Sequence, residues 1–141
     1  MQIHSPSEHM LVKSNILVDL TVASNNGATV DTKGYTRAMA IFYTNPTGTN
    51  GTSDCKLQMD SDSGMGSPTD VTGGAFATIT EGVDAPGLQV MDIDLENSGI
   101  ERYIRLVHTG AVAANGPVAG IIILMRGRRK APTQELTVVS V

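Results

Sequence analysis

From Ile16 onward the chain alternates between apolar and polar positions. Ile16, Val18, Leu20 and Val22 fall on one side, with Leu17, Asp19 and Thr21 on the other. Cys55, Leu57 and Met59 alternate with Lys56, Gln58 and Asp60, and Met91, Ile93 and Leu95 alternate with Asp92 and Asp94. A period of two predicts strands with one wet face, because successive side chains leave opposite sides of a pleated backbone. Residues 38–43 and 118–125 are instead apolar on both faces. They predict central strands, or strands whose outer face a neighbouring subunit covers. Residues 76–80, 102–108 and 136–141 bring the total to eight or nine strands. Gly, Pro and Asn clusters at 26–27, 45–51, 63–68, 73–74, 86–87 and 115–117 supply the turns between them. No window predicts a helix. The expectation is an all-β protein, a jelly-roll-like antiparallel β-sandwich rather than a closed barrel. Its expected divisions are an extended N-terminal arm at 1–15, the sandwich at 16–126, and a C-terminal basic connector and strand at 127–141.

Length and composition sharpen this picture. The 141 residues suit one domain large enough to bury a core without metal or disulfide staples. Charged residues are only 17% of the chain, against about 25% in ordinary globular proteins. A thinly charged surface points to extensive contact with other protein. The net charge of −4 argues against nucleic acid as a partner. A single cysteine, Cys55, rules out an intrachain disulfide and a multi-cysteine zinc site. Residues 1–13 lack the basic and apolar regions of a signal peptide. The longest apolar run, 118–125, falls well short of the roughly 20 residues of a membrane helix. These features predict a soluble protein made in a cytoplasm, with no membrane partner.

Catalytic chemistry finds little to stand on. His4, His9 and His108 are the only imidazoles, two of them in the arm, and no His-X-His pair or Gly-X-Ser-X-Gly elbow occurs. A triad needs a nucleophile, a base and an orienting acid held together, so no enzyme activity and no cofactor are expected. Cys55 alternates with apolar residues and reads as a core thiol. The run Asp60-Ser61-Asp62-Ser63-Gly64 invites a calcium reading, but Gly64 comes early and Val71 stands where an EF-hand needs Glu. It reads as a solvated hairpin loop, and no metal site is expected. Arg126, Arg128, Arg129 and Lys130 hold four of the ten basic residues within five positions. They read either as an electrostatic contact with an acidic neighbour or as a solvated run that keeps an edge soluble. Aromatics amount to 4% with no Trp, too few for the stacking platforms of a typical sugar-binding sandwich.

One further pattern remains. A turn, Val30-Asp31-Thr32-Lys33-Gly34-Tyr35, runs into the apolar strand from Arg37; the Met59–Gly64 loop follows; then come Glu101-Arg102-Tyr103-Ile104-Arg105 and a basic close ending at Pro132. This order, over roughly residues 16–132, resembles a family of small tailed-phage head proteins, the capsid decoration or cement proteins. The resemblance implies a β-sandwich on the exterior of the virion, made in the host cytoplasm, that binds the major capsid protein and stabilises the assembled shell. It also implies a homo-oligomer, a trimer favoured over a dimer. The candidate contact residues are His4, Glu8, His9 and Lys13 in the arm, and Arg126, Arg128, Arg129 and Lys130 in the tail. The alternative is a carbohydrate- or receptor-binding module of a phage tail or fibre, because a sandwich fold supports both roles.

Overall fold

The computed structural model describes residues 10–20, 24–112 and 116–125. Ten strands form: β1 (Met10–Leu20), β2 (Ser24–Asn26), β3 (Val30–Asp31), β4 (Arg37–Thr44), β5 (Thr52–Asp60), β6 (Thr69–Ala75), β7 (Ile79–Thr80), β8 (Gly87–Asp94), β9 (Tyr103–Ala111) and β10 (Gly116–Met125). No helix occurs among the described residues. One sheet has the order β1-β10-β4-β8, and the other runs β2-β9-β5-β6, with β3 also on β9 and β7 also on β5. Every pairing is antiparallel.

The topology resolves into eight strands once two interruptions are recognised. β2 and β3 pair with β9 at Asn26–Val107 and Val30–Ile104, with Gly27 N–H donating to Leu106 O across the break at 2.8 Å. β6 and β7 both pair with β5, and Phe76 N–H donates to Cys55 O at 2.9 Å between them. The first half of the chain therefore lies antiparallel to the second. β1 pairs with β10, β2–β3 with β9, β4 with β8, and β5 with β6–β7. Contacts of β10 with β4 and of β9 with β5 then roll this long hairpin into two sheets. That is a jelly roll, which puts the first and last described strands side by side.

Alternation of side chains explains the core. Ala38, Ala40, Phe42 and Thr44 of β4 are fully buried, and so are Ile122 and Leu124 of β10. All but Thr44 meet Cys55, Leu57, Ile104 and Leu106 of the opposite sheet in one apolar cluster. Full burial of each such large side chain is worth about 1.5–3 kcal/mol. Both runs that are apolar on two faces are inner strands of the same sheet, and they pair with each other from Val118–Thr44 to Met125–Arg37.

Three expectations change. Residues 10–15, assigned to an arm, belong to β1, where Met10 to Ser14 pair with Met125 to Ile121 and a bulge follows before Ile16. Residues 76–78, assigned to a strand, are the break between β6 and β7, with the Phe76 ring 5.6 Å from that of Phe42. Asp60, placed on a wet face, is buried because its own loop folds over it. The expected strand at 136–141, like the rest of the tail from residue 126, lies outside the described residues.

Candidate functional site

The two sequence motifs meet. β3 pairs with the start of β9, placing Asp31 opposite Tyr103. Arg102 then reaches Asp31 with two bonds, Nε to Oδ1 at 2.9 Å and Nη2 to Oδ2 at 2.7 Å. The Arg102 guanidinium also stands 4.9 Å from the centre of the Tyr103 ring. The Arg102 carbonyl accepts from both Thr32 N–H, at 2.9 Å, and Thr32 Oγ1, at 2.7 Å. Tyr35 N–H closes the turn on Thr32 O at 3.0 Å. Arg102 holds the Asp31 carboxyl below its usual range, chiefly through the side-chain bond. Planar two-bond pairing fixes direction as well as distance, so the turn is locked onto the strand.

This corner encloses an open cleft of about 450 Å³, lined by Thr32, Lys33, Gly34, Tyr35, Leu95, Ile100 and Arg102. Tyr35, Leu95 and Ile100 pack against the core from beneath. Lys33 and Arg102 supply the positive rim.

The first and last described residues lie at the same end of the sandwich. Met10 pairs with Met125, Met125 pairs with Arg37, and Thr36 N–H donates to Met125 O at 3.4 Å. Residues 9 and 126 are therefore covalently attached at one corner, next to the turn that frames the cleft. His4, Glu8, His9, Arg126, Arg128, Arg129 and Lys130 lie outside the described residues. Lys13 is within β1, opposite Ile122, rather than in a free arm.

The Asp60 loop sits at this end too, since Asp60 pairs with Tyr103. Its first carboxylate accepts from Asp62 N–H and Ser67 N–H, both at 2.9 Å, and these bonds hold its pKa low. Asp62 Oδ1 accepts from Gly64 N–H at 3.1 Å. The acids tie the turn to itself. Among the described residues, no three His, Cys, Asp or Glu side chains converge as a metal site.

A second polar group lies in the core. Thr44 Oγ1 donates to Ser53 Oγ at 2.9 Å, and Ser53 Oγ lies 2.8 Å from His108 Nε2; all three residues are fully buried. The Phe42 ring stacks on the imidazole at 5.9 Å. Ser53 Oγ, with one proton and two lone pairs, can serve Nε2 as donor or as acceptor while accepting from Thr44. Nδ1 has no hydrogen-bond partner among the described residues, and no carboxylate orients the ring. A hydroxyl beside an imidazole without an orienting acid or an opening to solvent is a buried packing network. Sequence reasoning left Ser53 and Thr44 out of it. The signal was available, because both share the inward parity of their strands. Cys55 is buried as expected, and burial pushes its thiol up to about 12.

No helix among the described residues is long and apolar enough to cross a membrane. No protein-family model matches the chain, and no curated protein does. Among solved structures, a similar chain comes from Bacillus endospore appendages, described as a novel family of disulfide-linked pili. It is 12% identical with a TM-score of 0.49, over 89% of this chain and 96% of that one. A likeness at that level carries no argument about function.

Proposed function

We propose that this chain is a structural virion protein that decorates the outer surface of a tailed-phage head and stabilises the shell by bridging major capsid subunits. The observation that carries the reading is the pairing of Met10 with Met125. It starts the N-terminal segment and the basic tail from one corner, beside the Asp31–Arg102 turn. A sandwich whose first and last described residues pair with each other suits a protein seated on a composite surface. Terminal segments that order on binding gain contact area at an entropic cost. Contacts that exist only in the assembled lattice favour assembly by mass action. The turn and strand motifs support the reading through their roles, since their polar groups are spent on each other. No catalytic step is part of this proposal.

The test is sedimentation of purified chain with purified heads that lack it. Co-migration at a fixed number of copies per head is the expected result. Occupancy should fall with added salt and in an Arg128→Glu/Arg129→Glu variant, because the basic tail acts through screened charge. A chain that stays in the supernatant at every salt concentration overturns the capsid role. Binding instead to host cell-wall carbohydrate would favour the fibre-module alternative.

A further inference from the structure

The outer face of the four-stranded sheet carries an apolar patch across β10, β4 and β8. The strand registers set Ile121 opposite Ile41 and Ile41 opposite Val90, and in the next row Ile123 opposite Met39. On the other flank, Ala119 faces Tyr43 and Tyr43 faces Leu88. None of these side chains belongs to the core cluster, which uses the alternate residues of the same strands. Leu88 is 66% exposed and Val90 57% exposed, on a strand at the sheet edge. Near one end of the face Arg37 is ion-paired with Asp92, and Asp94 stands opposite Arg37 in the strand register. At the other end the register sets Asp19 opposite Pro117.

Four strands at about 4.8 Å spacing and eight residues at about 3.4 Å rise give a face of roughly 500 Å² in projection. That projection lies within the roughly 300–600 Å² of the largest apolar patch on a typical monomer, a patch that is often functional. Isolated patches of this extent mark interaction sites.

Residues 1–9 and 126–141 carry little apolar surface with which to cover it. Residues 1–9 contain Met1 and Ile3 as their apolar side chains, and 126–141 contain Ala131, Leu136, Val138, Val139 and Val141. The apolar stretch 136–141 is six residues, enough for one strand of about 5 Å width against a face about 19 Å wide.

We infer that this face is occupied by the same face of a second copy, in a two-fold sheet-on-sheet contact. An identical partner brings equal apolar area and the same twist, the conditions for aligned packing of sheets at about 30°, with the acids left at the rim. An isologous contact also consumes the patch on both copies and leaves none to propagate. Met39 and Tyr43, which flank Ile41 on β4, are residue types enriched in such interfaces. The contact is two-fold, so the expected state is a dimer rather than the trimer that the family resemblance implies. It does not rest on the capsid reading, and its test involves no capsid.

The experiment is sedimentation equilibrium of the full chain over a dilution series, with dye-binding fluorescence alongside. The wild type should run at twice the 14.8 kDa chain mass and bind little apolar dye. Ile41→Lys, and separately Val90→Lys at the exposed edge, should shift it to the single-chain mass with an unchanged circular dichroism spectrum. Thr109→Lys, exposed on the other sheet, should remain dimeric. A wild-type monomer overturns the inference: bright dye binding would then assign the face to a partner of different sequence, and dark dye binding to the chain's own ends. A trimer, or an oligomer untouched by Val90→Lys, overturns it as well.

Discussion

His108 couples the core to pH. The ring has no exposed surface, its Nε2 shares a hydrogen bond with Ser53 Oγ, and burial lowers its pKa, with the charge of Asp54 opposing that shift more weakly. The folded state therefore holds the neutral imidazole, while the unfolded chain takes up a proton below about pH 6.5. Stability contributed this way is fully present above the unfolded pKa and falls as pH drops below it, by up to about 1.4 kcal/mol per pH unit. The melting temperature should decline from pH 7 toward pH 5, and His108→Gln, which keeps a polar partner for Ser53, should flatten that decline. An equal decline in the variant would remove His108 as the cause. The lowered carboxylates Asp31, Asp60 and Asp70 act in a separate window, since their contribution is lost only as pH falls below about 4. The Asp31–Arg102 pair is half exposed on both sides, so Asp31→Ala should cost no more than about 1 kcal/mol. Gly116 is a stricter position. Its φ is +123°, and a Cβ there would lie 2.2 Å from Asn45 O, so Gly116→Ala should destabilise by at least about 1–3 kcal/mol in chemical denaturation.

Strands expose what a sequence can and cannot show. Ile122 is fully buried on the inner face of β10, so Ile122→Asp buries an unpaired charge. It should cost more than about 4 kcal/mol and leave a chain without the sandwich's circular dichroism. β5 and β8 were legible because eight or nine residues carry an alternating stretch, and β4 and β10 because each holds a long unbroken apolar run. β2, β3 and β7 have two or three residues each and display none. β6 reads Thr-Asp-Val-Thr-Gly-Gly-Ala, mostly exposed, and its place is set by backbone bonds to β5 across an irregular stretch between Lys56 and Gln58. The candidate site divides in the same way. Both motifs stood out in the sequence, but Asp31 and Arg102 are 71 residues apart, and only the β3–β9 pairing joins them. No local pattern carries that information. The Asp60 loop gives a further check at this scale. Its acids hold backbone N–H groups, so thermal unfolding should not move when a chelator is added, and a drop of several degrees would reinstate an ion.

A jelly roll places the two ends of the folded chain together, and that sets how the whole molecule should respond to shortening. β1 is an edge strand held by β10, with Met10 to Lys13 opposite Met125 to Ile122. Leu11 packs against the core from this stretch. Removing residues 1–9 leaves the pairing intact, whereas removing 1–13 strips four paired positions and the Leu11 contact. It also bares part of β10, whose outer face is apolar, as a new sheet edge open to aggregation. Loss of a partly buried leucine and its ladder bonds amounts to about 2 kcal/mol, or roughly 5 °C in a domain of this size. The Δ1–13 chain should accordingly melt several degrees below Δ1–9 and precipitate sooner when held near its transition. The same pair separates stability from docking. If the first nine residues, with His4, Glu8 and His9, serve the capsid contact, Δ1–9 should bind heads more weakly while its melting stays close to that of the full chain. Equal melting of the two truncations would mean that β1 gains its hold only beyond Lys13, and full head occupancy by Δ1–9 would move the contact to the basic tail.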